Sequence, residues 1–184
     1  TTPQERKEQT TEEHSDTKEE TTLQLITHPK LTTTLNSGTI PANSLSLYQT
    51  NIHSLQKNYD TLKVHLARFH TNPPDVITLT DNYLKKDVDT SPNNYPIAQY
   101  QAFHETDISV YVKSNLHAST IPEVKVEPAA VIVLELFNTQ AKTKAHHTII
   151  NAYRRPSSST TEFIANLQVA IDQIYTRSPT THIT

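Results

Sequence analysis

The chain contains a single glycine among its 184 residues, and this scarcity restricts the turns that it can make. An average usage of ~7% glycine would give about 13. Tight turns often need a positive φ angle, which glycine adopts without a steric penalty. Asparagine tolerates this conformation better than most residues, so we expect asparagines in these turns, unless the sequence has drifted from a functional parent. The candidates are Asn72, Asn82, Asn93, Asn94, Asn115 and Asn138.

Composition divides the chain near residue 44. Residues 1–44 carry seven acidic and four basic side chains, a net charge of −3, whereas residues 45–184 carry twelve of each sign. Segments of low hydrophobicity and high charge do not bury enough apolar surface to fold. We therefore predict a disordered or linker tail at 1–44 and one domain at 45–184. Because that domain is neutral, any contact with DNA would need a local basic face.

The chain has no cysteine, which excludes disulfides, thiolate nucleophiles and zinc–thiolate sites. No apolar run approaches the ~20 residues that a helix needs to span a bilayer. The N-terminus also lacks the apolar segment of a signal peptide. We therefore expect a soluble, intracellular protein that makes no membrane contact.

Hydrophobic periodicity from residue 45 onward predicts both strands and helices. Apolar residues at three- and four-residue spacing predict one helix at 55–69 and another after a capping box at 159–162. We expect the strands at 108–112 and 131–137 to pair with each other. The order of elements favours a mixed α/β protein whose helices cover sheet faces. Alternating or continuous apolar runs predict strands at 45–50, 75–80, 108–112, 131–137, 147–152 and from 182 onward.

Four segments of the chain stand in an order and spacing typical of one family of enzymes. They are QTNIHSL (49–55), PDVITLTDNYLKKD (74–87), ISVYVKSNL (108–116) and NAYRRPSSS (151–159). Three of them deliver polar side chains at strand ends, where open sheets build their sites. The arrangement resembles the endonuclease/exonuclease/phosphatase superfamily, which includes deoxyribonuclease I. More narrowly, it resembles the endonuclease domain of non-LTR retrotransposons.

This resemblance implies an α+β fold in which a two-layered β-sandwich is flanked by helices. It implies hydrolysis of DNA phosphodiester bonds with Mg²⁺, or with Mn²⁺ as the alternative ion. In a retrotransposon, such a domain nicks target DNA in the nucleus and precedes a reverse transcriptase region of the same polyprotein. The family's Gly-Asp-x-Asn motif and final Asp-His pair are absent, so we expect a domain that is incomplete at the C-terminus and inactive alone.

The resemblance assigns the metal end of the site to two residues. Asn51 matches the family's asparagine that hydrogen-bonds the site carboxylate and the phosphate. Asp81 stands where the family has glutamate, the main ligand of Mg²⁺, an ion that prefers a few oxygen ligands and keeps several waters. Aspartate is one methylene shorter, so the ion would shift by about 1 Å, and a misplacement of that size can cost on the order of 100-fold in rate.

The phosphate end of the site falls, by the same resemblance, in the segment 151–155. Tyr153 matches the tyrosine that contacts the scissile phosphate, and Asn151 is a catalytic candidate two residues earlier. Arg154 and Arg155 are candidates for binding the DNA phosphates, although Arg155 stands where proline is common. Tyrosine and arginine donate hydrogen bonds where charge develops on phosphoryl oxygens. The family's glycine-rich loop is replaced here by residues 105–107, which are Glu-Thr-Asp.

Each candidate residue also has a plain structural interpretation. Asn51 or the nearby Ser54 can cap the first helix, and Asp81 can be a turn residue. Tyr153 can be a core or edge aromatic, and the two arginines that follow can be a solvated pair. Two other functions also stay open: a degenerate relative that binds DNA without catalysis, and a phosphatase of the same superfamily.

Overall fold

A computed structural model describes residues 45–137, 146–178 and 182–183 of the chain. The predicted tail at 1–44 lies outside the described residues. The described elements are β1 (Leu47–Asn51), α1 (Leu55–Leu66), a 3₁₀ turn (Ala67–Phe69), β2 (Val76–Thr80), β3 (Tyr100–His104), β4 (Ile108–Lys113), β5 (His117–Thr120), β6 (Ala130–Phe137), β7 (His146–Tyr153), α2 (Thr160–Arg177) and β8 (His182–Ile183).

The strands form two four-stranded sheets. The first has the order β1-β2-β4-β3 and the second the order β5-β6-β7-β8. In each sheet one pair of strands is parallel, β1 with β2 and β7 with β8, and a helix connects the two strands of that pair. All other neighbours are antiparallel. The mixed sheets follow from these two strand–helix–strand units, because parallel neighbours need a crossover connection.

The two sheets pack face to face, and each helix covers an outer face. Strand residues alternate between the two faces of a sheet, so Val76 of β2 packs between the sheets with Leu134 of β6, while Ile77 packs outward against Leu55 of α1. Ala170 and Ile174 of α2 cover the outer face of the second sheet. The prediction of a two-layered β-sandwich flanked by helices is therefore confirmed.

The predicted pairing of β4 with β6 is wrong. The two strands lie in different sheets, and each pairs with a strand that periodicity did not indicate, β4 with β3 and β6 with β5. Val110 of β4 and Leu134 of β6 instead belong to the same apolar cluster between the sheets. Two fully buried strands can be hydrogen-bonded neighbours or face each other across a core, and their apolar runs look alike in both cases.

Serine caps both helices. The Ser54 side chain accepts a hydrogen bond from the Lys57 backbone N–H, so Ser54, rather than Asn51, is the N-cap of α1. Ser159 accepts from the Glu162 backbone N–H at the start of α2, as the capping-box pattern predicts. No helix in the described ranges is both long and apolar enough to cross a membrane.

Positive φ angles do not fall on the predicted asparagines. In the described part of the chain the non-glycine residues with positive φ are His53, Ser54, Asp81, Tyr83, Asp87, Tyr95 and Gln99. Asn138 lies outside that part. Asn82 and Asn94 instead use their side chains as hydrogen-bond donors, Asn82 to Ser109 and Asn94 to the Val88 carbonyl. The strained positions lie in loops where tertiary contacts fix the backbone.

Candidate functional site

The proposed metal ligand, Asp81, lies directly after β2 and is 3% exposed. Its φ of 63° is a left-handed conformation that costs energy for a residue with a side chain. β1 is the parallel neighbour of β2, and Asn51 is paired with Thr80 in their register. The carboxyl ends of β1 and β2 therefore place Asn51 and Asp81 at the same edge of the sheet.

Three side chains contact the Asp81 carboxylate. The Tyr153 hydroxyl, from the end of β7 in the other sheet, donates a hydrogen bond to Oδ1 at 2.9 Å. His53 Nδ1 lies 2.8 Å from Oδ2, and the His53 side chain is 77% exposed. A hydrogen bond to Asp81 raises the pKa of the exposed Tyr83 phenol. The site therefore joins the ends of strands from both sheets around one buried carboxylate.

Tyr153 is a hydrogen-bond donor over the whole physiological pH range. Burial, followed by the hydrogen bond to Asp81 and the charges of Asp81 and Asp107, raises the pKa of Tyr153 to about 12. A phenol with this pKa keeps its proton at neutral pH. The structure thus brings Asp81 and Tyr153, 72 residues apart in sequence, into direct contact.

Asn51 is linked to the Asp81 carboxylate through His53. Its side-chain oxygen accepts a hydrogen bond from the His53 backbone N–H at 3.1 Å, and the residue is exposed. Asn58 of α1 donates to the Ile52 and His53 carbonyls of the same loop. These bonds hold His53 in the orientation that places its ring against Asp81.

The side chain of Asn151 is used between the two sheets. It is 4% exposed, and its amide group donates to the backbone carbonyls of Leu79 at 3.3 Å and Ser109 at 3.2 Å. Leu79 belongs to β2 and Ser109 to β4, whereas Asn151 belongs to β7. Asn151 therefore fastens the second sheet to the first beside the site, and its described hydrogen bonds do not reach Asp81.

The two arginines have separate structural partners and are not a solvated pair. Arg154 donates to the carbonyls of Arg155, Pro156 and Ser158 and so holds the loop before α2. Arg155 forms an ion pair with Asp107 through Nε at 2.8 Å and a terminal nitrogen at 2.7 Å, both to Oδ2. The Asp107 side chain is only 9% exposed. The charges of Asp107 and Arg155 thus neutralise each other between the β3–β4 loop and the end of β7.

A buried network of hydrogen bonds supports Asn82, the residue after Asp81. Asn82 donates to Ser109 Oγ at 2.7 Å, and the same hydroxyl lies 2.7 Å from His104 Nδ1. His104 Nε2 lies 3.0 Å from the Asn94 carbonyl, which only accepts, so Nε2 carries a proton. When His104 is neutral, Nδ1 accepts from the Ser109 hydroxyl and every donor has an acceptor. The periodicity of the sequence does not predict this hydrogen-bond network.

This hydrogen-bond network makes the free energy of unfolding depend on pH. Burial lowers the pKa of His104 from its usual 6.5. The unfolded chain then binds more protons than the folded one, so the stabilisation is present above pH 6.5 and falls as the pH drops toward the folded-state pKa. Protonation would also put a hydrogen on Nδ1 and remove the acceptor of the Ser109 hydroxyl. We expect His104→Gln to flatten the dependence of the free energy of unfolding on pH between 7.5 and 5.

Urea denaturation at several pH values measures this difference. The ring of His104 packs against Tyr95 and Tyr111. A phenol ordinarily titrates near pH 10, and burial raises the pKa of each further, so neither titrates in that range. His70→Gln is the matched control, since His70 is exposed. Parallel pH curves for the wild type and His104→Gln would contradict the prediction.

A groove of about 700 Å³ lies between the β3–β4 loop and the segment that joins β5 to β6. Basic and acidic side chains line it in equal number, so it is not the local basic face that DNA contact would need. The basic ones are Lys86, Lys125 and Arg155, and the acidic ones are Glu105, Asp107 and Glu127.

Comparisons with known proteins give structural likenesses at low sequence identity. No family model and no curated protein matches the chain. It is similar to D. rerio TDP2 complexed with a single-strand DNA product, with 15% identity over 76% of this chain and 58% of that chain and a TM-score of 0.49. It is also similar to the AP endonuclease LMAP from Leishmania major, with 17% identity, coverage of 76% and 48%, and a TM-score of 0.46.

A third similar structure is the 3′ phosphatase NExo from Neisseria bound to a product DNA hairpin. It has 15% identity, covers 73% of this chain and 54% of that chain, and gives a TM-score of 0.44. The chain thus spans between 48% and 58% of the lengths of these three proteins.

Proposed function

We propose that this chain carries the metal- and phosphate-binding part of a Mg²⁺-dependent DNA endonuclease of the endonuclease/exonuclease/phosphatase superfamily. The observation that carries the proposal is the contact between Asp81 and Tyr153. These residues come from two different motifs of the resemblance and from the two sheets, yet their side chains meet at 2.9 Å. A convergence of a buried carboxylate and a neutral phenol suits the binding of a cation and a phosphate together.

The residues at this edge fit Mg²⁺ by their chemistry. Asp81 supplies a carboxylate and Asn51 a carboxamide oxygen, both hard oxygen ligands. Proteins hold Mg²⁺ with one or two carboxylates and the substrate phosphate, and the buried Asp81 would supply one such carboxylate. When bound, the ion would neutralise charge on the phosphate during in-line attack.

Tyr153 would act as the donor to the phosphate. It has one hydroxyl hydrogen, which Asp81 accepts in the structure. If Asp81 held a cation, the ion would supply charge neutralisation there, and Tyr153 could donate this hydrogen to a phosphoryl oxygen instead. Because its pKa is about 12, Tyr153 keeps its proton at neutral pH and so can donate to a phosphoryl oxygen. Arg155 is neutralised by Asp107, so it would hold the segment after β7 in place more than it would add positive charge for a phosphate.

The test is nicking of a supercoiled plasmid with Mg²⁺, against an EDTA control. The missing motifs predict a chain that is inactive alone, so any nicked circles should be few and should appear only with Mg²⁺. The shorter Asp81 slows nicking further, because it displaces the ion by about 1 Å, which can cost on the order of 100-fold. The net charge of zero over residues 45–184 predicts that DNA binding also needs the divalent ion. Equal nicking in EDTA would contradict the proposal.

The retroelement context extends this proposal. In that context the domain nicks target DNA in the nucleus, with Mn²⁺ able to replace Mg²⁺, and a reverse transcriptase region of the same polyprotein uses the nick. The support for it is the TDNYL and NAYRRPSSS segments at 80–84 and 151–159.

A non-catalytic DNA-binding relative is the second candidate, and the position of His53 favours it. The His53 ring already occupies Oδ2 of Asp81 at 2.8 Å. If the imidazole replaces the metal ion, the fold survives without metal-dependent chemistry. This candidate predicts DNA retention on a gel without nicking, at the same level in Mg²⁺ and in EDTA.

A further inference from the structure

The segment after β2 presents an aromatic ring to solvent from a strained backbone. Tyr83 is 60% exposed and has a φ angle of 53°. Such a conformation is unfavourable for a residue with a side chain, and it persists only where the surroundings enforce it. The neighbours Asn82 and Leu84 are buried, and their backbone N–H groups donate to the carbonyls of Asp107 at 3.1 Å and Thr106 at 2.8 Å. An exposed ring gains little from apolar packing, so strain at this position points to a function.

The Tyr83 ring lies at the rim of the candidate site. A hydrogen bond to Asp81 raises the pKa of the Tyr83 phenol, and the same carboxylate accepts a hydrogen bond from Tyr153 at 2.9 Å. The proposed function places a DNA phosphate at Asp81 and Tyr153. One sugar joins a base to its phosphate in a nucleotide, so a base beside that phosphate would come to the rim on which Tyr83 lies.

Stacking on this ring would supply affinity that charge does not. Residues 45–184 have a net charge of zero, so they offer no general attraction to phosphates. A base that stacks on an aromatic side chain gains binding energy without a charge, and every base has a face that can stack.

We propose that Tyr83 is a stacking platform for a nucleobase next to the scissile phosphate. This inference rests on the proposed function, which locates the phosphate. A paired base inside a duplex is covered on both faces by its neighbours, so it must leave the stack before it can contact the ring. Tyr83 therefore selects DNA that has an unpaired or extruded nucleotide at this position.

Fluorescence anisotropy with the full chain in Mg²⁺ tests the assignment on three labelled probes of equal length. They are a single strand of thymidines, a single strand of abasic residues with the same phosphates, and the thymidine strand annealed to its complement. Tyr83→Asn removes the ring and suits a positive φ angle, whereas Tyr83→Phe keeps the ring. Tyr175→Asn is the control, because Tyr175 is 47% exposed on α2.

We expect Tyr83→Asn to weaken binding of the thymidine strand by about 5- to 100-fold, the range for loss of one stacked base. Tyr83→Phe and Tyr175→Asn should bind this strand like the wild type. The loss should be the same at about 50 and about 200 mM salt, because stacking is not an attraction between charges. The abasic strand and the duplex should bind Tyr83→Asn and the wild type equally, because neither offers a free base.

The inference is overturned if the wild type does not bind the thymidine strand, or if Tyr83→Asn binds it as tightly as the wild type. An equal loss on the abasic strand or the duplex would also overturn it, as would an equal loss with Tyr83→Phe, which would assign the effect to the hydroxyl group. A urea midpoint for each variant establishes that it is folded, and a denaturing gel establishes that the strands stay intact.

Nicking of the plasmid is scored independently. A chain that never nicks DNA but loses the thymidine strand with Tyr83→Asn would contradict the endonuclease proposal alone. A chain that nicks with Mg²⁺ but binds the thymidine strand without the Tyr83 ring would contradict this inference alone.

Discussion

Replacing Asp81 with asparagine should lower the rate of Mg²⁺-dependent nicking by on the order of 1000-fold, because a metal ion supplies several kcal/mol of charge stabilisation. Asparagine retains the oxygen that accepts from Tyr153 and tolerates the positive φ of 63° at this position. The substitution therefore removes the negative charge and replaces the oxygen that faces His53 Nδ1 with an amide NH₂ group. Mg²⁺ should also stop raising the melting temperature of the variant, since an ion stabilises only a protein that binds it.

Plasmid nicking and thermal unfolding with and without Mg²⁺ measure the two effects. Asp60→Asn is the matched control, because its carboxylate is 91% exposed on α1 and pairs only at the surface with Lys63. The control should keep the wild-type response to Mg²⁺ in both assays. A variant at position 81 that nicks at the wild-type rate would rule out Asp81 as the metal ligand.

Replacing Asn151 with alanine should destabilise the fold by roughly 2–4 kcal/mol. The change removes two buried hydrogen bonds, to the carbonyls of Leu79 and Ser109, and leaves a gap between the sheets. Those carbonyls belong to β2 and β4, so the loss loosens the contact between the two layers next to the site. The free energy of unfolding in urea is the measurement.

Asn93→Ala serves as the control for this substitution, because Asn93 is exposed in a loop and its change should stay within about 0.5 kcal/mol. The comparison also separates two interpretations of Asn151. A lower free energy of unfolding in Asn151→Ala supports a structural role, in which the Asn151 hydrogen bonds link the two sheets. Unchanged stability with lost nicking would favour the catalytic role that the family resemblance implies.

Much of the fold could be predicted from local pattern. The strands β1, β2, β4, β6 and β7 and both helices lie where periodicity placed them, because each presents a regular apolar face. The strands β3 and β5 gave no such signal. β5 is largely polar, and in β3 the apolar residues are interrupted by Gln101 and end at His104. Whether such a segment forms a strand depends on the strand it pairs with. In the same way, whether β4 and β6 are hydrogen-bonded neighbours or face each other across the core depends on contacts distant in sequence.

The site was predictable only in part. Asp81 and Tyr153 stand in motifs, and the structure brings them into contact. His53 and Tyr83 could not be assigned this way. Their contacts with Asp81 depend on positive φ angles at His53, Ser54, Asp81 and Tyr83, and the residue types at these positions do not predict such angles. The hydrogen bonds of His104 could not be predicted either. They involve Asn94 in a loop and Ser109 in the neighbouring strand β4, and Ser109 in turn accepts from Asn82 in another loop.

The ion pair between Asp107 and Arg155 has an evolutionary consequence. Asp107 lies in the β3–β4 loop and Arg155 follows β7, and each is the charge partner of the other. Replacing Arg155 alone would leave a carboxylate that is 9% exposed without the guanidinium that neutralises it, and a buried charge without a partner is strongly destabilising. The two sites are therefore epistatic. A lineage that carries this pair must change both positions together or pass through a less stable intermediate.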